Sequence, residues 1–435
     1  MNDTPRQATR LEAIGGRFDP WLLGAMLALA SLGVVMVASA SIYQHGNPFY
    51  YLIRHGMFLV AGAGLAWWVT RTELKSIEAR NHLLLLGCVV LLLMVFVPGL
   101  GVSVKGAHRW INLGVSNFQV VEVVKVFFIV WLASYLVRFR DEVNATWAAM
   151  LKPLGVVVLL VALLLMQPDF GSSSLLLAIT AGMLVLGGVN MPRMFGPVLV
   201  GLPILAVIAI AEPYRMRRLT SFSDPWADPF GSGYQLTNAL MAIGRGEWSG
   251  IGLGGSVLKL NYLPEVHTDF IFSVIGEELG FVGVCLVIAL YALLVGRAFV
   301  IGLRCVEMRR HFAGYVAFGV ALWIGMQSFV SMGVNLGLLP TKGLTLPLIS
   351  SGGSSILMTC VAMGLLLRVS YELERTQRQV ALRGEALQTS PSGSESRAAG
   401  DPAPVAPQPA PSLSETLRGT SRLRSRVEPT FERIA

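Results

Sequence analysis

Charged residues are scarce in this chain: they make up 14% of its 435 residues, against about 25% in an ordinary soluble domain. The hydrophobic residues, 54% of the total, are gathered into long runs, and together these features exclude an ordinary soluble globular fold. Cysteine is scarce too. Cys88, Cys285, Cys305 and Cys360 lie far apart, in or beside apolar runs. That spacing offers no metal-ligand pattern, and filling small apolar gaps is their ordinary use. A cleavable signal peptide is not evident, because residues 1–19 are polar and the first apolar run is long enough to serve as an anchor. A compact basic domain is also missing. The net charge is +8, but the basic residues are dispersed among short loops and the tail, so no nucleic-acid partner is expected. No repeat relates the two halves of the chain, which counts against folds built from repeated halves.

A bilayer core of about 30 Å needs roughly 20 apolar residues per helix. Such stretches occur near residues 20–42, 51–70, 82–100, 119–137, 153–167, 172–190, 194–211, 270–296, 312–334 and 346–368. They predict an all-α polytopic membrane protein with about ten transmembrane helices. One set of short loops holds Arg71, Lys75, Arg80, Arg138, Arg140, Lys152, Arg193, Arg297, Arg304, Arg309 and Arg310, whereas the alternate set holds Lys105, Arg109 and Lys342. The first set is therefore cytoplasmic, and both termini with it. This gives a cytoplasmic segment at 1–19, a membrane domain at 20–370 and a cytoplasmic tail at 371–435. The Ser, Pro, Ala and Arg of that tail predict disorder over most of its length or a docking segment for a partner. Residues 212–269 form one large extracytoplasmic loop. Its Trp226, Trp248, Tyr234 and Tyr262 suit an ordered segment lying against the membrane interface.

Ionisable residues inside the apolar stretches cost about 2.5–3.5 kcal/mol each on insertion scales, so they are paired or functional. Glu122 and Lys125 share a helical face three residues apart, as a local ion pair or as a lysine aimed at an anion and oriented by the glutamate. Arg54 and His55 open the second stretch, and Arg109 precedes the fourth. They either reach lipid phosphates or hold a pyrophosphate, to which arginine offers two parallel hydrogen bonds. Asp169 is placed to cap the sixth helix. Thr268 and Asp269 open the eighth, as cap and first-turn acid or, for Asp269, as a general base whose ionisation the helix end favours and apolar surroundings oppose. Glu277 and Glu278 follow as polar contacts within the protein. Small residues at Ser350–Ser355 permit close helix packing or close approach of a ligand.

Several strings resemble the SEDS proteins (shape, elongation, division and sporulation). They are Gly106-Ala107 with Arg109-Trp110, Gln167-Pro168-Asp169-Phe170-Gly171 and the run Asp224–Leu236. They continue with His267-Thr268-Asp269-Phe270-Ile271-Phe272, Gly276-Glu277-Glu278-Leu279-Gly280, and Thr341–Ser350 followed by Gly352-Gly353-Ser354-Ser355. The resemblance covers roughly residues 20–370. Lys342-Gly343 and the run Asp224–Leu236 look more like the cell-division member than the elongation member. The chain departs from the family pattern at Val120 and Val121, at Ser249 and at Ser351.

The resemblance implies a peptidoglycan glycosyltransferase that polymerises lipid II at the outer face of the bacterial cytoplasmic membrane, at the division septum. It implies a class B penicillin-binding protein as transpeptidase partner, together with other membrane proteins of the division machinery. An acceptor sugar hydroxyl needs a base, and the family's essential aspartate matches Asp269. The pyrophosphate leaving group needs charge stabilisation rather than the second, acidic carboxyl of glycosidases. Arg54, Arg109 and Lys125 are expected in that role, oriented by Glu122 and Asp169, with His267, Lys342 and Ser350 completing the substrate site. No dedicated cofactor is expected, although Mg²⁺ or Mn²⁺ riding on the substrate phosphates would leave little trace in the sequence. A lipid II flippase and a non-catalytic division scaffold are the competing readings.

Overall fold

The structure, a computed structural model, describes residues 15–41, 49–104, 107–112, 114, 117–211, 213–257, 259, 266–341 and 343–388. Lys342 and the tail beyond 388 lie outside the described residues. Met1–Ala381 forms one compact unit, and Leu382–Ala435 forms a second, of which only the helical residues to 388 are described.

Eight described helices are long and apolar enough to cross a membrane. They are α1 (Pro20–Ser41), α2 (Tyr50–Arg71), α5 (Val120–Arg138), α7 (Trp147–Met166), α9 (Met191–Ala211), α12 (Ile271–Glu307), α13 (His311–Asn335) and α14 (Gly353–Gln388). Two shorter apolar helices, α4 (Asn81–Met94) and α8 (Phe170–Leu186), complete the ten apolar segments expected from the sequence. Short α3 (Leu74–Ala79) and α6 (Arg140–Ala145) link neighbours. The chain is thus an all-α, multi-pass membrane protein. Its centre is built from α5, α12 and α13. Helix α12 packs on α13 and α1, and α13 packs on α5 and α8. Helix α5 buries fourteen side chains, Glu122 and Lys125 among them, whereas α9 leaves Phe195, Leu199, Leu202 and Val207 exposed.

Several boundaries differ from the sequence reading, each for a local reason. The third apolar run does not stay helical to residue 100. Pro98 and the left-handed Gly99 (φ 87°) follow the end of α4, and neither can continue a helix. The chain then forms a small antiparallel sheet that hydropathy does not reveal, β1 (Gly101–Val104), β2 (Ala107–Asn112) and β3 (Asn117–Gln119), in that order. Val102 pairs with Trp110, which pairs with Gln119. Helix α7 begins before residue 153, at Trp147, because the Thr146 hydroxyl accepts from the amide of Ala149 (3.4 Å). The last apolar run is not helical at 346–352. Pro347 disfavours helix at Leu346, Leu348 adopts φ 67°, and α14 starts only at Gly353.

The eighth run also differs. Helix α12 extends to Glu307 and is broken at Gly280 (φ 65°, ψ −162°), a conformation essentially confined to glycine. The long loop fills the break. It contains α10 (Pro213–Ser223) and α11 (Tyr234–Arg245), and then enters the bundle. Ile251 and Gly252 donate to the carbonyls of Glu277 and Glu278 (both 3.1 Å), closing the first half of α12. Phe281 and Val282 donate to the carbonyls of Glu247 and Trp248 (2.9 and 3.2 Å), opening the second half. Four of the orphan backbone groups of the broken helix are therefore satisfied by protein, as an apolar solvent favours. Thr268 is not the cap expected from the sequence, since Phe270 holds that position and no side chain caps α12.

Candidate functional site

The lead-in to α12 carries Asp269, and three bonds fix its backbone from two other elements. The Ser350 hydroxyl donates to the Thr268 carbonyl (2.6 Å), and the Ser351 amide donates to the His267 carbonyl (2.8 Å). Asn335, the last residue of α13, donates through Nδ2 to the Asp269 carbonyl (2.9 Å). Asn335 Oδ1 accepts from the Ser273 amide (3.1 Å) and hydroxyl (2.7 Å), so one buried carboxamide spans the first turn of α12. The Asp269 side chain is half-buried. It faces the segment after Lys342, where a Cβ on Gly343 would stand 3.0 Å from Oδ2.

That same segment reaches a second group of polar residues. Lys125 Nζ lies 2.8 Å from Glu122 Oε2 and donates to Gln327 Oε1 (2.8 Å), with the Trp323 ring 4.6 Å away. Gln327 also accepts from Trp323 Nε1 (2.7 Å) and donates to the Thr345 carbonyl (2.9 Å). Thr345 Oγ1 in turn lies 2.9 Å from Ser355 Oγ. Lys125 is only 1% exposed, so its ammonium is enclosed by these partners. The i,i+3 ion pair expected on α5 is present, and its lysine is coupled to residue 345 through Gln327.

Asp169 caps α8, accepting from the Ser172 amide at 3.1 Å. Arg109, delivered by β2, approaches Asp169 Oδ1 at 3.6 Å and donates to the carbonyls of Gln167 (3.1 Å) and Pro168. Its side chain stays 30% exposed, which leaves room for a further acceptor. Arg54 lies over the Phe58 ring (5.9 Å), and that ring packs where a Cβ on Gly353 would come within 2.7 Å. Arg54 is thereby tied to the start of α14. The His267 ring packs on Tyr51 at 4.1 Å. Ser350 is buried, its oxygen also accepting from the Leu346 amide (2.8 Å). The structure thus joins Asp269, His267, Ser350 and the 343–355 segment. It joins Glu122 and Lys125 to that segment through Gln327, and Arg109 to Asp169. Among the described residues no group of three or more His, Cys, Asp or Glu side chains is placed to hold a metal ion.

A further buried cluster lies where the long loop enters α12. Glu278 accepts from Ser39 Oγ (2.6 Å) and from Lys259 Nζ (3.0 Å), and both charges are fully enclosed. Glu277 accepts from the Ser256 hydroxyl and the Val257 amide (3.2 Å), with Arg245 at 3.5 Å. The polar contact expected for these glutamates is present.

Asn335, Gln327, Lys259 and Ser39 were not foreseen in the sequence. A signal existed for the first two. An amide side chain inside or at the end of an apolar run must find a partner; Gln327 lies in the run that became α13 and Asn335 directly follows it. Lys259, a lone cation among Gly and Leu residues, carried a weaker one.

The arrangement defines a multi-pass membrane protein whose half-exposed carboxylate sits where a broken helix, an irregular segment and the end of a long loop meet. The chain belongs to the family of cell cycle proteins that groups FtsW, RodA and SpoVE, whose model matches residues 20–375. It is 67% identical to a probable peptidoglycan glycosyltransferase FtsW of Xanthomonas oryzae pv. oryzae, over 100% of this chain and 94% of that protein. A probable peptidoglycan glycosyltransferase FtsW of Legionella pneumophila is 46% identical over 82% of this chain and 91% of its own length. Among solved structures, one described as structural coordination of polymerization and crosslinking by a peptidoglycan synthase complex matches with TM-score 0.68 and 29% identity, covering 82% of this chain and 98% of that one. The rod shape determining protein RodA of Thermus thermophilus matches with TM-score 0.59 and 28% identity, over 81% and 96% of the two chains.

Proposed function

We propose that this protein is a peptidoglycan glycosyltransferase that polymerises lipid II into glycan strands during septal wall synthesis. The observation that carries the reading is the seating of Asp269. The other carboxylates of the transmembrane core, Glu122, Asp169, Glu277 and Glu278, are buried against partners inside the protein. Asp269 is half-exposed, and its backbone is held by bonds from α13 and the 350–351 segment. A general base needs both access and a fixed position. The names of the FtsW relatives supply the reaction class, and the family resemblance supplies the substrate.

In this mechanism Asp269 takes the proton from the acceptor sugar hydroxyl as that oxygen attacks the anomeric carbon of a second lipid II. The bond to the pyrophosphate oxygen breaks, and the leaving group departs as an anion that needs no proton. Arg109 and Arg54, the half-exposed cations, meet the developing negative charge. Lys125 acts through Gln327, holding Thr345 and hence the segment that faces Asp269. Asp169 orients Arg109, and Ser350 and His267 shape the lead-in to Asp269. Lys342, which the family resemblance assigns to the substrate site, immediately precedes the 343–355 segment in the sequence. The basic loops make the end of the bundle bearing Arg71, Arg138 and Arg297 cytoplasmic, so both termini are cytoplasmic and Asp269 works at the outer face of the bacterial inner membrane. The solved synthase complex supports a class B penicillin-binding protein as partner, with other septal membrane proteins around it.

The test is polymerisation of lipid II by the purified chain with its cognate transpeptidase, wild type against Asp269→Asn. Glycan polymer from the wild type and none from the variant is expected, with both forms binding the partner equally. Polymer from the variant would remove Asp269 from the mechanism. Transbilayer movement of lipid II by the wild type without polymer would replace the enzyme with a transporter.

A further inference from the structure

A cavity of about 410 Å³ opens far from Asp269, lined by Arg17, Phe18, Asp19, Arg304, Glu374 and Arg378 among others. Asp269 lies just before the first residue of α12, and Arg304 lies in its last turn. At 1.5 Å per residue the two are roughly 50 Å apart along the helix path, so the cavity sits at the opposite, basic end of the bundle.

Three chain segments build it. The lead-in to α1 is strapped to α14, with Phe18 packed on Tyr371 (5.7 Å) and the Asp19 amide donating to Ser370 Oγ (3.3 Å). The Asp19 carboxylate pairs with Arg297 of α12. Burial opposes its ionisation, but the Arg297 guanidinium and the amides at the start of α1 outweigh that and hold it below its ordinary value of 3.8. Glu374 is likewise occupied, 2.9 Å from Arg378. Both carboxylates in the lining are thus matched by a guanidinium. Arg17 and Arg304 are exposed, and among the described residues neither makes an ion pair. Phe18 of the lining (42% exposed) presents apolar surface, as do Trp21 (62%) and Leu303 (54%), which adjoin the lining residues Pro20 and Arg304 in the chain and lie on helices long and apolar enough to cross a membrane. Two cations without an ion-pair partner among the described residues, with exposed apolar side chains next to them in the chain, match an amphiphile with an anionic head and acyl chains. The size is that of a small-molecule site, and basic pockets between helices at this level bind phospholipid head groups.

We propose that this cavity binds the phosphate of an anionic glycerophospholipid, with Arg17 and Arg304 as its ligands and the acyl chains lying along Trp21 and Leu303. The proposal stands apart from the glycosyltransferase site and does not depend on it.

Native mass spectrometry of the delipidated full-length chain tests it. The protein is titrated with phosphatidylglycerol, with phosphatidylethanolamine, and with phosphatidylglycerol in the presence of inorganic phosphate. Wild type is expected to take up phosphatidylglycerol in preference to phosphatidylethanolamine. The double variant Arg17→Gln/Arg304→Gln should weaken phosphatidylglycerol binding about 30-fold, from roughly 1 kcal/mol per interfacial cation. Arg80→Gln, an exposed cation outside the lining, should leave it unchanged. Both cavity arginines are exposed, so the double variant should melt with the wild type. Equal binding of the two lipids, or a double variant that binds like wild type, overturns the proposal. Full displacement by inorganic phosphate would reassign the cavity to a soluble phosphate compound. Displacement by a peptide of residues 389–435 would reassign it to the chain's own tail.

Discussion

Asn335 Nδ2 donates to the Asp269 carbonyl at 2.9 Å, and the same amide accepts from Ser273 on the next turn. The end of one helix thereby sets the start of another. Nδ2 also donates to the Ser331 carbonyl (2.8 Å), so donor and acceptor ends are both engaged. Asn335→Asp removes the donor and sets a carboxylate against two carbonyl oxygens. A displacement near 1 Å costs about 100-fold in rate where geometry is limiting. Asn335→Asp is therefore expected to lower kcat for lipid II polymerisation about 100-fold with KM little changed. Steady-state kinetics on a variant that still binds its partner would show this, and an unchanged kcat would mean that the clamp does not position the base.

Gly343 offers a finer probe of the same carboxylate. An added Cβ would stand 3.0 Å from Asp269 Oδ2, tighter than ordinary contact. Gly343 is exposed, so no core is disturbed. Gly343→Ala should push the carboxylate by a few tenths of an ångström and reduce kcat roughly 10-fold with no change in melting temperature. Gly343→Val should reduce it further. Equal rates for all three forms would place the working carboxylate elsewhere.

How far the sequence discloses this arrangement depends on the range of the interaction. The ten apolar segments are legible because hydropathy belongs to each stretch's own composition, and eight of the described helices are long and apolar enough to cross a membrane. So are the Glu122–Lys125 pair and the Asp169 cap, whose partners lie within three residues. The resemblance in the motif strings marks Asp269. What holds these groups is not local. Asn335 reaches back 66 residues to Asp269, and Gln327 reaches back 202 to Lys125. The break in α12 was hidden for another reason. Gly280 sits in an apolar run that hydropathy reads as continuous, and only the returning strip 247–252 makes a broken helix affordable there.

Beyond that strip the same loop is anchored by a buried ion pair, whose strength can be measured. Lys259 and Glu278 are both 0% exposed and 3.0 Å apart, with Ser39 bound to the same carboxylate. Removing one partner of such a pair costs about 3–5 kcal/mol, because the other charge is left buried. Lys259→Met should therefore lower the melting temperature markedly, and Lys259→Met/Glu278→Gln should recover most of the loss. Thermal melts of the purified forms decide this. Equal melting of single variant and wild type would show that water reaches Glu278.

The same logic separates structure from chemistry at Glu122 and Lys125. Lys125→Met leaves Glu122, itself 4% exposed, without its cation, and about 3–5 kcal/mol of destabilisation is expected. Glu122→Gln/Lys125→Met removes both charges and should restore the melting temperature. The rate should not return with it. Gln327 Oε1 loses the ammonium that fixes its amide, and the bond from Nε2 to Thr345 then has one anchor fewer beside Asp269. The double variant should melt with the wild type yet polymerise lipid II at least about 10-fold more slowly, the loss falling on kcat. Recovery of both stability and rate would reduce the pair to a structural contact. Recovery of stability alone would tie the buried lysine to the reaction through the segment it holds.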